Sequence, residues 1–294
     1  MSDPGYVVYG DLAKRDTVVL ALALEAKRLA FTRVEETASL AYALEARAGD
    51  GGGPYLRTPE GFVLSGLHAM LDWLERVHPR PALLPGLPVR RTCSRLLEDW
   101  IELWLRVAVR RSGVALEALE AHVAASGFLL GRAPTRPDLL LVGWIECDLR
   151  TRARARAWLE RRAPRLLGLG ERLLGAVREG NVDACASSDD AIPISLVEVL
   201  REIGRDYHAF LDRNQRALKD GADEVRLEFA GETRTLPVRR DCERRRLAIG
   251  RELAVLAPEA RRSVGRVLEP VGAWHALRLP AAIEEMDPAD PRGL

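Results

Sequence analysis

Short apolar runs separated by polar turns open the chain. Residues 6–9, Tyr-Val-Val-Tyr, end at Gly10 and predict a first strand. After a polar loop, the apolar run over 17–27 predicts a helix, and 30–34 predicts a second strand. The opening pattern is therefore β-α-β.

A glycine- and proline-rich stretch separates this opening from a predicted hairpin. Residues 51–54 read Gly-Gly-Gly-Pro, and they precede a strand at 55–57, a turn at 58–61 and a return strand at 62–64. Residues 67–76 place Leu67, Met70, Leu71 and Leu74 on one face and predict a helix. Residues 79–88 contain four prolines, which exclude a helix and indicate an interdomain linker.

The chain beyond the linker is predominantly helical. Helices are predicted at 92–111, 114–126, 135–149, 151–161 and 164–178. After a loop at 180–190, the pattern predicts a helix at 193–219, a hairpin from strands at 225–229 and 233–238, and a helix at 241–257. The predicted division is a domain at 1–78, a linker at 79–91, a helical domain at 92–179 and a C-terminal extension at 180–294.

Composition excludes several classes of function. The 44 basic and 43 acidic residues nearly cancel, which disfavours a nucleic-acid partner. No apolar run is long enough to span a membrane, and the first residues lack the pattern of a secretory signal, so we expect a cytoplasmic protein. Four dispersed cysteines at 93, 147, 185 and 242 have no metal-ligand spacing, so no metal site is predicted.

Two motifs carry a resemblance to a known family. The β-α-β opening, Pro54, the hairpin and the following helix have the order of a thioredoxin-like domain, where a proline opening the third strand is normally cis. Thr135 and Asp138 form a Thr-x-x-Asp capping box at the start of an apolar helix, with Pro137 in its first turn.

Together with the proline-rich linker, these motifs resemble the glutathione S-transferase superfamily over about residues 5–175. Residues 54–61 and 97–104 are similar to a bacterial branch, and 206–218 with the hairpin resemble a C-terminal extension of that branch. The resemblance implies an α/β thioredoxin-like N-terminal domain, an all-α C-terminal domain and an appended helix-hairpin-helix unit. It also implies a possible homodimer.

The resemblance further implies a site for the thiol of glutathione. In that family a Tyr, Ser or Cys near the end of the first strand stabilises the thiolate, and here Lys14 occupies the usual Ser or Cys position. Tyr9 and Thr17 are the candidate donors, although Tyr9 can be a packing residue and Thr17 a helix N-cap. Lys14 and Arg15 are candidates to attract the thiolate by charge, with a solvated loop as the alternative.

The tripeptide half of the predicted site is incomplete. The acidic-Ser pair of the family is replaced by Leu64-Ser65, so Ser65 and Gly66 alone are candidates to bind the γ-glutamyl carboxylate. The backbone of Gly53, before Pro54, is the candidate partner for the tripeptide backbone.

Two functions stay open at this point. The first is a transferase that conjugates or reduces a small electrophile with glutathione, its helical domain binding a hydrophobic co-substrate. Trp100, Trp104 and Trp144 are then either core residues or walls of that pocket. The second is a non-catalytic protein of the same fold that binds ligands or proteins. A different thiol in place of glutathione is a third hypothesis.

Overall fold

The structure is a computed structural model, and it describes residues 5–49, 52–109, 114–186, 188–229 and 231–279. Its residues form two compact units. The first unit comprises Met1–Gly86 and Val123–Asp189, and the second comprises Leu87–His122 and Asp190–Leu294. The predicted four-part division stays a prediction, and the two units are described separately below.

The described strands and helices follow one another along the chain as follows. They are β1 (Tyr6–Tyr9), α1 (Arg15–Ala26), β2 (Phe31–Val34), α2 (Ala38–Ala48), β3 (Tyr55–Arg57), β4 (Val63–Ser65), α3 (Leu67–Val77), α4 (Pro88–Leu103), α5 (Leu105–Val109), α6 (Val114–Ser126), α7 (Arg136–Trp144), α8 (Ala153–Arg162), α9 (Pro164–Leu167), α10 (Leu169–Glu179), α11 (Leu196–Glu202), α12 (Ala209–Lys219), β5 (Glu224–Phe229), β6 (Glu232–Pro237), α13 (Arg240–Ala254) and α14 (Pro258–Leu268). Two π-helical segments, Ile145–Leu149 and Ile203–His208, continue α7 and join α11 to α12.

The first unit contains a mixed sheet with strand order β2-β1-β3-β4. Strand β1 is parallel to β2 and antiparallel to β3, and β3 is antiparallel to β4. The peptide bond between Gly53 and Pro54, which opens β3, is cis. A β-α-β unit followed by a hairpin and a helix is the predicted thioredoxin-like connectivity, and it is confirmed.

Helix α1 forms the centre of the first unit because both the sheet and later helices cover it. Its Val19, Leu20 and Leu24 are completely buried. Helix α7 approaches it closely at Gly143, where a side-chain carbon would lie 2.6 Å from Cγ2 of Val19. Glycine is therefore needed at this helix crossing for its small size.

The predicted capping box starts α7. Asp138 accepts hydrogen bonds from the backbone N–H of Thr135 at 2.8 Å and from its hydroxyl at 2.7 Å. The same carboxylate accepts a bond of 2.8 Å from the N–H of Leu129, which ties the preceding loop to the helix start.

The second unit is built around α4. This helix packs against α13 and α14, and Trp104, which follows it, lies against Tyr207 and Phe210, at ring-centroid distances of 5.5 and 4.8 Å. Tyr207 donates a hydrogen bond of 2.8 Å to the buried carboxylate of Asp99 on α4. Strands β5 and β6 form the predicted antiparallel hairpin between α12 and α13. The predicted fold class, a thioredoxin-like sheet followed by helices and a helix-hairpin-helix unit, is confirmed.

Several boundaries differ from the predictions. Helix α4 begins at Pro88 rather than at 92, because a proline is well tolerated at the first helical position. Within the predicted linker, Ala82, Leu83 and Leu84 are buried. Helices α2 and α14 were not predicted. Only Leu44 of α2 is buried, so its sequence shows no apolar face.

None of the helices in the described ranges is both long and apolar enough to cross a membrane. Over the same ranges, no group of three or more His, Cys, Asp or Glu side chains is arranged to hold a metal ion.

Candidate functional site

The predicted site residues gather at one end of the sheet in the first unit. The register pairs Tyr9 of β1 with Tyr55 of β3, and Tyr55 with Ser65 of β4. These three residues form one row across the sheet. Gly53-Pro54 precedes this row on β3, and Gly66 follows it on β4.

Tyr9 ends β1 with its side chain half-buried, whereas the three residues before it are buried. The next residue, Gly10, donates its N–H to the carbonyl of Val34 at 3.1 Å, which extends the pairing of β1 with β2 by one bond. Tyr9 is therefore held by strands on both sides while the residue as a whole stays half-buried.

Thr17 lies in the first turn of α1, beneath this strand end. Helix α1 begins at Arg15 with Lys14 as its N-cap, so the predicted alternative role of Thr17 as an N-cap is wrong. Thr17 is completely buried, and its hydroxyl has no hydrogen-bond partner within the described ranges. A side-chain carbon at Gly10 would lie 2.5 Å from that hydroxyl and 3.1 Å from Cβ of Pro54. Thr17, Gly10 and Pro54 are thus packed against one another.

Lys14 and Arg15 both carry a nearby carboxylate. Nζ of Lys14 lies 3.8 Å from Oε2 of Glu36, and Nε of Arg15 lies 3.0 Å from Oδ1 of Asp16. Lys14 is 60% exposed, whereas the side chain of Glu36 is only 12% exposed. The two basic residues are therefore engaged in ion pairs, and Lys14 is the one with most of its side chain in water.

Glu36 is a site residue that the sequence did not indicate. It follows β2 in a run of polar residues that is typical of a solvated loop. Its carboxylate lies over the α-carbon of Gly53, because a side-chain carbon there would be 2.7 Å from Oε2 and 3.2 Å from Oε1. Gly53 itself is exposed, and Pro54 is buried.

Ser65 and Gly66 shape the turn into α3. The hydroxyl of Ser65 donates a hydrogen bond of 3.1 Å to the carbonyl of Ala48, the last residue of α2. Gly66 is the N-cap of α3 and has φ of +79°, a conformation that favours glycine. The Ser65 hydroxyl is therefore already used in joining α2 to β4.

Cys147 is a second residue that sequence reasoning did not place near the site. On the π-helical segment after α7, its thiol lies 3.8 Å from the carbonyl oxygen of Leu12, in the loop before α1. Burial, together with Asp148 and Glu146, raises the pKa of this thiol. The thiol is therefore favoured over the thiolate.

The three tryptophans singled out as pocket walls are core residues of their own units. Trp100, Trp104 and Trp144 are each at most 2% exposed. A surface for a hydrophobic co-substrate would have to be formed by other side chains.

Comparisons with solved structures find glutathione S-transferases of several classes. One from Rhodospirillum rubrum F11 is 19% identical, with a TM-score of 0.48, over 66% of this chain and 99% of that one. Rice GST1 in complex with glutathione is 20% identical, with a TM-score of 0.48, over 62% and 92%. FzlA from C. crescentus is 16% identical, with a TM-score of 0.49, over 66% and 99%.

No family model and no curated protein matches this chain. Likeness in fold does not carry an activity from one protein to another, so these structures assign none to this chain. The thioredoxin-like character of the first unit rests on its own strand order, its connectivity and the proline that opens β3.

Proposed function

We propose that this chain is a member of the glutathione S-transferase superfamily that binds a small thiol, glutathione in the first place, beside Gly53-Pro54. The observation that carries the proposal is the row of Tyr9, Tyr55 and Ser65 at one end of a thioredoxin-like sheet. An exposed glycine backbone before a cis proline adjoins this row. This backbone is available to pair with the backbone of a peptide-like thiol.

The proposed activity is transfer of the thiol to a small electrophile, or reduction of that electrophile. Tyr9 is the favoured donor, since it is half-buried at the end of β1, opposite Tyr55, while its neighbours on β1 are buried. Thr17 is less favoured because it is completely buried under Gly10. Lys14 and Arg15 are less favoured because carboxylates lie beside both.

The chemistry requires the ligand sulfur to be a thiolate at neutral pH. A free thiol has a pKa of about 8.5, and lowering it by two units takes about 2.7 kcal/mol of preferential stabilisation of the thiolate. A hydrogen bond from the Tyr9 hydroxyl to the sulfur, aimed at the charge as it forms, is the means that this site offers. The proposal also includes a hydrophobic co-substrate, a cytoplasmic location and a homodimer.

A second candidate function is a non-catalytic binding scaffold of the same fold. It is favoured by Glu36, whose enclosed carboxylate lies over Gly53. A negative charge at that place raises the pKa of a nearby thiol and so opposes formation of the thiolate. The hydroxyl of Ser65 also favours the scaffold, because it already donates a hydrogen bond to the carbonyl of Ala48. Fewer groups are then free to hold the tripeptide.

Calorimetry with glutathione and ultraviolet absorbance of the bound thiolate test both candidates. We expect binding in the micromolar-to-millimolar range with a lowered thiol pKa, and loss of that lowering in Tyr9→Phe. Tyr42→Phe, at a position 78% exposed on α2, is the matched control and should leave both readouts unchanged. Binding without a lowered thiol pKa would support the scaffold. No binding at millimolar glutathione would contradict the proposal.

A further inference from the structure

The carboxylate of Glu36 is largely buried, although Gly53, which it contacts, is exposed. Its side chain is 12% exposed, and its Oε2 atom has no hydrogen-bond partner within the described ranges. The carboxylate lies close to the α-carbon of Gly53, since a side-chain carbon there would be 2.7 Å from Oε2 and 3.2 Å from Oε1. An acceptor of this kind disfavours a neighbouring anion and favours a neighbouring N–H or ammonium group.

The positive charges near Glu36 offset its charge only partly. Lys14 lies 3.8 Å away, but 60% of its side chain is in water, where its charge is screened. Arg33 is also exposed, and it donates a long hydrogen bond of 3.4 Å to the carbonyl of Gly10. The carboxylate of Glu36 is the group nearest to a side-chain carbon at Gly53, so a ligand group placed there meets this negative charge first.

The negative charge of Glu36 also affects Tyr55, a buried residue that directly follows Pro54. Its pKa is raised, first by burial and then by the charges of Glu45 and Glu36.

We propose that Glu36 determines ligand specificity at Gly53, selecting small thiols that are neutral or cationic and discriminating against carboxylate-bearing thiols. The inference rests on the proposed function, since it takes the thiol to lie at Gly53. It adds that the preferred ligand class consists of amino thiols and amide or ester thiols. Glutathione, which carries two carboxylates and one ammonium group, then binds more weakly than these thiols.

A comparison of two closely related thiols tests this assignment. Glutathione and its glycine monoethyl ester differ by one carboxylate, and both can be titrated into the chain by calorimetry. For the wild type we expect the ester to bind about tenfold more tightly than glutathione at low ionic strength. In Glu36→Gln, which keeps the size of the side chain and removes its charge, we expect the two thiols to bind within about twofold of each other.

Two further variants sharpen the test. Glu35→Gln removes the same charge from the exposed neighbouring position, and it should keep the preference of the wild type. Lys14→Met removes the partial counter-charge, and it should increase the preference for the ester. Circular dichroism of each variant confirms that it is folded before the titrations are compared.

The outcomes separate this inference from the proposed function. If both thiols bind and Glu36→Gln keeps the wild-type ratio of affinities, Glu36 is not the determinant, and thiol binding stands. If Glu36→Gln weakens both thiols alike, Glu36 accepts a bond from the ligand without discriminating, which also overturns the inference. If neither thiol binds to the wild type or to folded Glu36→Gln at millimolar concentration, both the proposed function and the inference fail.

Discussion

The hydroxyl of Thr17 illustrates how a single residue can look functional in the sequence and structural in the fold. It lies at the third position of α1, completely buried, with no hydrogen-bond partner within the described ranges. A buried hydroxyl without a partner loses its hydration and gains no bond in return. The residue is therefore explained by packing, since its methyl group and its hydroxyl both lie against Gly10.

Thr17→Val tests this interpretation, because valine replaces the hydroxyl with a methyl group of similar shape. We expect the free energy of unfolding to stay equal or to rise by about 1 kcal/mol, measured by urea denaturation. Thr17→Ser keeps the hydroxyl and removes the methyl group, and it should lower stability. A folded Thr17→Val that still binds glutathione but no longer lowers its thiol pKa would instead make Thr17 the donor.

Glu36 shows why some site residues escape sequence reasoning altogether. Its place over Gly53 depends on the return of the chain between β2 and β3, and nothing local in the polar run that contains it marks that contact. Tyr9, Gly53 and Ser65 were predicted because the resemblance places the site at these strand ends, and periodicity and turn residues locate the strand ends themselves.

At the scale of elements, α7 depends on a carboxylate that is buried at its start. Asp138 is completely buried and accepts three hydrogen bonds, two from Thr135 and one from Leu129. Burial nevertheless raises its pKa to about 6, and the three bonds offset this rise only in part. The capping box thus gives the helix a sharp start and makes its stability sensitive to pH.

The sign of that sensitivity follows from the two pKa values. The folded value of about 6 lies above the value of about 3.9 in an unfolded chain. At a pH between these two pKa values, Asp138 keeps its proton in the folded protein but has lost it in the unfolded chain. The free energy of unfolding therefore falls as the pH rises from about 3.9 to about 6. The loss amounts to about 2–3 kcal/mol.

Asp138→Asn removes this titration. The free energy of unfolding of the wild type minus that of the variant should therefore be about 2–3 kcal/mol larger at pH 4 than at pH 7. Urea denaturation at the two pH values measures it, and Asp220→Asn, at an exposed position, controls for the removal of one negative charge. An equal difference at both pH values would show that burial does not govern this carboxylate.

Element boundaries were predictable where a local signal marks them. The hairpin of β3 and β4 was located to within one residue, because Pro59 and Gly61 define its turn. Helix α7 was located by its capping box. Helix α2 was not predicted because no apolar face repeats along it. Leu44 is its one buried residue, and Tyr42 is exposed. The helical state of α2 reflects the high helix propensity of its Ala and Leu residues and the Thr37 N-cap, whose hydroxyl accepts a hydrogen bond from the N–H of Leu40.

At the scale of the whole molecule, residues of the predicted C-terminal extension share a core with α4. Trp104, which follows α4, packs against Tyr207 and Phe210, and Asp99 on α4 accepts the hydrogen bond of Tyr207. Residues separated by about a hundred positions thus form one core. The sequence predicted the helices and the hairpin but not this partnership, because an apolar stripe does not identify the element that covers it.

If the two compact units open separately, a core cavity in one should loosen that unit alone. Phe210→Ala removes a completely buried ring from the second unit, and Leu20→Ala removes a completely buried side chain from the first. Phe210→Ala should destabilise the second unit by about 3–5 kcal/mol, and Leu20→Ala should destabilise the first by about 2–5 kcal/mol. We expect Phe210→Ala to accelerate amide hydrogen exchange in α4, α12 and α13, with β1 and α1 unchanged. Leu20→Ala should do the reverse.

Exchange measured by mass spectrometry resolves these segments, and Phe210→Leu provides a milder cavity should the alanine variant unfold. Phe210 has its aromatic contact with Trp104, so protection in α4 should fall although α4 lies more than a hundred residues earlier in the sequence. Faster exchange confined to α12, with α4 still protected, would make the C-terminal residues a separate folding unit. Equal acceleration in β1 and α1 would mean that the whole chain opens as one.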